Sequence, residues 1–239
     1  SRDGQQHAAF ALAAQGLLAD DVVPGFNAAH PMPHLPEPVP ARLWIGNATR
    51  VATHNDPSDN LAIVAAGRRR FTLFPPDQIG NLYIGPVDHT TAGTPISMVH
   101  LTGPDFLRYP RFAEALATAQ VAVLEPGDGI YIPYGWYHHV EALDPLNILV
   151  NYWWNGPADG VAAPWDAMLH AMLAVRDLPD HQRVMWRAAF DHYVFHMNGD
   201  PAAHIHPDAA GLLGPMTAER RQAIADRLEA VARRLRREE

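Results

Sequence analysis

Cysteine is absent from all 239 residues. That removes thiol nucleophiles, disulfides, iron–sulfur clusters and thiolate zinc sites together, so any metal must rest on His, Asp or Glu. Positive charge is also scarce: 18 Lys and Arg stand against 26 Asp and Glu, a formal charge of −8. This argues against non-specific binding to nucleic acid or an anionic membrane, and the one basic run, Arg233 to Arg237, is local. No stretch approaches ~18 consecutive apolar residues, and no basic segment leads into an apolar one at the N-terminus. The sequence therefore predicts neither a spanning helix nor a signal peptide, with the cytoplasm as the default compartment; it opens on Ser1 rather than Met and is silent about anything before that. What is present is 48% hydrophobic residues, in a chain long enough for one or two domains with a sizeable core.

Composition changes character twice. Residues 1–42 combine an Ala-rich run, Ala8 to Ala14, with Pro31, Pro33, Pro36, Pro38 and Pro40. Fixed φ and missing donors make the proline stretch an extended surface connection, following a short helix or strand. From Leu43 to Trp154 short apolar runs alternate with Gly, Pro, Asn and Asp: Leu43 to Ile45, Leu61 to Val64, Phe71 to Phe74, Val121 to Leu124, Ile130 to Ile132 and Ile148 to Trp154. Many short strands with turn signals mean a sandwich or barrel. Within this region Pro104 to Leu107 reads as a turn and Pro110 to Thr118 has helical spacing. After Asn155-Gly156-Pro157 the apolar period becomes helical over 164–176 and 180–197, and a last helix starts at Thr217 with Ile224, Leu228, Val231 and Leu235 in one stripe. The predicted organisation is a β domain over residues 1–160 and a helical region over 161–239.

Two constellations could carry chemistry. In Thr53-His54-Asn55-Asp56-Pro57 an extended chain would put His54 and Asp56 on one face, imidazole beside carboxylate, as a metal requires; the same letters also make an ordinary turn. In the second, Pro126-Gly127-Asp128 turns into a buried strand, and Pro133 to Gly135 turns again to deliver His138 and His139 at the start of the next. Neighbours on a strand face opposite ways, so only one of that pair can meet a metal. Two histidines and one carboxylate from separate strands form a facial triad that leaves positions open on Fe(II).

The run from Thr53 to Gln78 carries His54-x-Asp56, Asn60, Gly67-Arg68-Arg69-Arg70-Phe71 and Leu73-Phe74-Pro75-Pro76-Asp77-Gln78. It is followed by Pro126-Gly127-Asp128, Ile132-Pro133, Trp136-x-His138 and Asn151-Tyr152-Trp153. Over about residues 43–155 this set resembles the cupin-like JmjC oxygenases, a family that includes bacterial cupin-like proteins and the asparaginyl hydroxylase of hypoxia-inducible factor. The resemblance implies a mainly β fold, a double-stranded β-helix or jelly roll, followed by the C-terminal helices. It implies Fe(II) held by His54, Asp56 and His138, which selects His138 over His139, and 2-oxoglutarate as co-substrate. The family's basic residue for the distal carboxylate of 2-oxoglutarate falls on Arg69, and its pocket asparagines on Asn60 and Asn151. An Arg can offer a carboxylate two parallel donors, and Arg69 shares a strand face with Phe71 and Leu73.

The sequence departs from the family at Val51, where a Thr is common, and at Asn55, where an aromatic is common. It also lacks an early-strand Tyr near Ala13 to Gln15, which leaves Tyr83, Tyr109 or Tyr134 as substitutes. The implied activity is hydroxylation of a protein side chain or a small molecule, coupled to conversion of 2-oxoglutarate to succinate. A cupin that binds metal or ligand without turnover is the alternative. The narrow terminal stripe and the similar C-terminal extensions of family members lead to the expectation of a two-fold homodimer through the C-terminal helices, with no nucleic-acid or membrane partner.

Overall fold

A computed structural model describes residues 13–36, 38–87, 94–155 and 163–236. The start of the Ala-rich run, Ala8 to Leu12, lies outside these. Among the described residues there are nine strands: β1 (Ala13–Leu18), β2 (Arg42–Gly46), β3 (Arg50–His54), β4 (Asp59–Ala66), β5 (Arg69–Phe74), β6 (Gln120–Leu124), β7 (Gly129–Ile132), β8 (Tyr137–Ala142) and β9 (Asn147–Trp154). They form two antiparallel sheets, ordered β1-β2-β9-β4-β7 and β3-β8-β5-β6. From β2 to β9 the chain passes between the two sheets as a jelly roll does, so the double-stranded β-helix expected from the resemblance is the fold.

Alternation along each strand builds the interior. Ala62, Val64 and Leu149 of the larger sheet meet Phe71, Leu73, Leu124 and Val140 of the smaller one. Their sequence neighbours Leu43, Ile63, Val150 and Tyr152 point to the opposite face, where Ala19, Phe26, Met32, Leu35 and Ala41 cover them. The covering segment follows edge strand β1 and comprises the single-turn helices α1 (Ala19–Val22) and α2 (Phe26–Ala29) and the proline-rich connection. Gly67, at φ 70°, makes the β4–β5 turn; a Cβ there would run into the Leu146 carbonyl and the Asn147 side chain.

Between β5 and β6 a long excursion contains the helix α3 (Phe112–Thr118). Its Leu82, Val99 and Phe112 pack on Phe74 and Tyr137, closing the barrel at the end where β8 begins. Phe71, Phe74 and Phe112 are fully buried, each worth ~1.5–3 kcal/mol relative to exposure.

The chain divides into two compact units, 1–161 and 162–239. The second holds α4 (Pro164–Val175), α5 (Asp180–Tyr193) and α6 (Ala218–Leu235), the last N-capped by the Thr217 hydroxyl, which accepts the Arg220 N–H at 3.3 Å. None of these helices has a buried residue. Met168, Met172, Phe190 and Val194 instead line an open groove of about 610 Å³. Among the described residues no helix is long and apolar enough to cross a membrane.

Candidate metal centre

His54 reaches the interior through an irregularity in β3. Val51 lies opposite Val140 and His54 opposite His138, so β3 advances three residues while β8 advances two. The extra residue shifts the alternation, and Val51 and His54 both face inward. Asp56 is not on the strand, as an extended His-x-Asp would be, but in the loop after it. There its carbonyl accepts the N–H of Gly135 at 3.3 Å, tying the β3–β4 loop to the turn that precedes β8.

The three side chains converge. Nε2 of His54 lies 3.9 Å and Nε2 of His138 3.7 Å from the Asp56 carboxylate, and one ligand atom from each residue lies within 4.8 Å of the others. Two donors held ~2.0–2.2 Å from one ion stand no more than about 4.4 Å apart, so both carboxylate–imidazole pairs are compatible with a shared ion. Tautomer agrees. Nδ1 of His54 sits 2.8 Å from the Ala52 carbonyl and Nδ1 of His138 3.2 Å from that of Trp136. A carbonyl only accepts, so each Nδ1 carries a proton and Nε2 is the atom that each imidazole can offer a metal.

Electrostatics point the same way. Burial, reinforced by the neighbouring His54, pulls the pKa of His138 down to about 3, leaving the neutral imidazole that a metal needs. Burial raises the Asp56 pKa against the pull of His54. Among the described residues the ion-pair partners of Asp56 are these two histidines, with no arginine. A half-buried carboxylate facing the Nε2 atoms of two imidazoles is a donor set that a divalent ion fits. His139 faces the outer side of its sheet, opposite Thr72, with its Nε2 buried and unpartnered.

Arg69, Asn60 and Asn151 meet in a polar ladder across the interior. Arg69 is 7% exposed, and its terminal nitrogen donates to the Trp44 carbonyl on the opposite sheet at 3.4 Å. The Trp44 indole N–H donates to Asn151 at 2.6 Å, and the Asn151 amide donates to Asn60 at 3.2 Å. Arg69 Nε is buried without a partner, no carboxylate lies within 4.0 Å among the described residues, and burial lowers the pKa to about 10. The guanidinium therefore stays charged at neutral pH with its counter-charge missing, and a ligand carboxylate fits there.

Sequence reasoning assigned Trp44 no role, although it links Arg69 to the asparagines; its position opposite Leu149, one strand from Asn151, is a property of register. Trp153, which enters the sequence reading only within Asn151-Tyr152-Trp153, has a buried and unpartnered indole Nε1. Val51 packs on the core and supplies no hydroxyl. The substitute tyrosines are occupied elsewhere. Tyr83 and Tyr109 contact edge to face at 5.1 Å beneath Arg111 and Arg108, and Tyr134 is exposed.

Comparison with known proteins agrees with this architecture. The model of the family described as "Cupin-like domain" matches residues 3–160. The chain is 38% identical over 113 residues to lysine-specific demethylase JMJ31 of Arabidopsis thaliana, covering 47% of this chain and 20% of that protein. It is 31% identical over 146 residues to human HSPB1-associated protein 1, covering 59% and 29%. It is 33% identical over 102 residues to chicken tRNA wybutosine-synthesizing protein 5, covering 43% and 29%. The chain thus spans less than a third of the length of these relatives. With the family model matching well over half of its residues, the triad included, the chain belongs to the cupin-like domain family.

Proposed function

We propose that this protein is an Fe(II)- and 2-oxoglutarate-dependent oxygenase that hydroxylates a protein side chain or a small molecule. The observation that carries the reading is the pairing of two unsatisfied features in one barrel: the His54–Asp56–His138 cluster short of a cation, and interior Arg69 short of a carboxylate. The chemistry that iron(II) would supply when bound is coupling of oxidative decarboxylation of 2-oxoglutarate by dioxygen, which puts one oxygen atom into succinate and releases carbon dioxide, to insertion of the other oxygen atom into a substrate C–H bond. The residues of the chain provide the placement. His54, Asp56 and His138 would hold the ion on one face, and the backbone carbonyls of Ala52 and Trp136 fix their imidazoles. Arg69 would anchor the distal carboxylate, with Trp44, Asn151 and Asn60 holding the wall beside it. Phe71, Leu73 and Val140 exclude water around it.

The names of the relatives span a lysine demethylase and a tRNA-modifying protein. The net charge of −8 favours a protein or small-molecule substrate over nucleic acid. The absence of a buried residue in α4, α5 and α6 supports a second copy of the chain as the partner that covers them, since helices this short draw their stability from packing. Val51 and the engaged tyrosines favour a second reading, a metal- or ligand-binding cupin without turnover. Succinate release decides between them. Fe(II)-dependent formation of succinate from 2-oxoglutarate, abolished in His138→Ala, is expected; metal binding with no succinate formed refutes the oxygenase and leaves the binding module.

A further inference from the structure

The four arginines of the β-strands divide by face. Arg50 and Arg70 lie on the outer side of the smaller sheet, and both reach Glu141, at 3.5 and 3.3 Å. Arg42 and Arg69 face the interior, and among the described residues neither has a carboxylate within 4.0 Å. Arg69 is accounted for by the co-substrate in the reading above; Arg42 is not. It lies opposite Asn151 and two residues from Trp44, which puts all three on one face. Further along β9, Trp153 lies opposite Asn60 and Trp154 opposite Asp59, three residues after the metal-site Asp56, so Arg42 stands nearer the metal-bearing end than Trp44 does. The guanidinium lies over the Trp153 ring, 5.6 Å from its centre, and one nitrogen donates to the Gly16 carbonyl at 3.1 Å. The other N–H groups have no protein acceptor among the described residues, the side chain is half-buried, and the Trp153 Nε1 beside it is a buried donor without a partner.

We propose that Arg42, backed by Trp153, is an anion-binding subsite at the mouth of the barrel, and that the substrate carries a carboxylate or a phosphate which it holds. This rests on the oxygenase reading for the word substrate but not for the site itself. A guanidinium held over an indole keeps N–H donors free to pair with a carboxylate or with two phosphate oxygens. On a chain of net charge −8 it also offers an incoming anion a local positive charge.

The test titrates inorganic phosphate and acetate into the full chain loaded with Mn(II), with and without N-oxalylglycine in the co-substrate pocket, and follows tryptophan fluorescence. Saturable binding of at least one anion is expected with the pocket filled, weakened about tenfold or more in Arg42→Gln and only partly restored in Arg42→Lys, which keeps the charge without the paired donors. Affinity for 2-oxoglutarate should move less than twofold in either variant. Equal anion affinity in wild type and Arg42→Gln, or no saturable binding of either anion to wild type, overturns the proposal. Parallel loss of 2-oxoglutarate binding in Arg42→Gln overturns it too, because Arg42 then serves the co-substrate or the fold. If wild type fails to bind 2-oxoglutarate while phosphate or acetate still depends on Arg42, the oxygenase reading falls and the anion subsite stands.

Discussion

Replacing Arg69 by Met separates what the residue does for the fold from what it does for a ligand. The side chain is 7% exposed, makes one long hydrogen bond of 3.4 Å to the Trp44 carbonyl, leaves Nε unsatisfied and has no carboxylate beside it among the described residues. Exchanging a buried, poorly compensated charge for an apolar side chain of similar length is neutral or stabilising by ~1–4 kcal/mol, and ~1 kcal/mol moves Tm by roughly 2–4 °C at this chain length. The ligand-free Mn(II) form of Arg69→Met should therefore melt at or above the wild-type temperature. The ligand response should do the opposite. At 100 times its Kd, 2-oxoglutarate would stabilise the wild type by ~2.7 kcal/mol, a rise of roughly 5–11 °C. Losing charge-assisted hydrogen bonds worth ~1.5–3 kcal/mol weakens binding about 10- to 150-fold. At the weaker end of that range the same concentration shifts Tm by only about 1 °C. Differential scanning fluorimetry reads both numbers. A variant that melts several degrees lower yet keeps its full ligand shift would refute the reasoning and make Arg69 a structural residue.

Other substitutions test the remaining parts. Calorimetry with Mn(II) should show at least ~100-fold weaker binding in Asp56→Ala and His138→Ala, while His139→Ala stays within a few-fold; loss in all three would mean that His139 also matters to the site. Burial pushes the Asp59 carboxyl up, but hydrogen bonds from Tyr131, Asn155 and the Tyr134 N–H outweigh it and hold the pKa below the ordinary value. A depressed carboxylate contributes stability above its unfolded pKa and loses it as pH falls through the folded one. Urea unfolding should therefore show wild type more stable than Asp59→Asn by ~1–3 kcal/mol at pH 7, with the gap closing between about pH 4 and pH 2; a constant gap contradicts the assignment. Sedimentation at micromolar concentration should give a dimer that Leu228→Asp combined with Leu235→Asp dissociates. A monomeric wild type sinks the dimer, and a dimer that survives both changes moves the interface elsewhere.

Most of the barrel was legible because its strands are short apolar runs cut by turn residues. β2, β4, β5, β6, β7 and β9 all contain the runs that predict them, and Pro110 to Thr118 contains α3. β1 was not resolved between helix and strand, since an Ala-rich run satisfies either and pairing with β2 decides it. The helices of the second unit follow their apolar period, but period alone does not say how deeply an apolar face is buried, and here none of their residues is fully buried. At the site, residue types were readable and their geometry was not. His54 and Asp56 do converge, but through an irregular register and a loop rather than through alternation on one strand.

The same limit explains why Arg42 carries no signal in the sequence. Four arginines on strands look alike as letters, and a basic residue near an apolar run is ordinarily taken to be solvated. What separates them is where the acids fall: Glu141, one position from the inward Val140, lies opposite both Arg50 and Arg70, and its alternate place on β8 puts it on the outer face. Inward β8 positions hold His138 and Val140, so the sequence places no carboxylate from that strand inside. The acid the interior does receive, Asp56, is committed to the two imidazoles. Among the described residues two inward-facing guanidiniums, Arg69 buried and Arg42 half-buried, are then left without a carboxylate partner. Burying even one such charge is unfavourable unless something compensates it. A ligand carboxylate at Arg69 would compensate the deeper one and leave the half-buried Arg42 unmatched, so the charge balance of the interior supports the proposed anion subsite alongside the contacts of that residue.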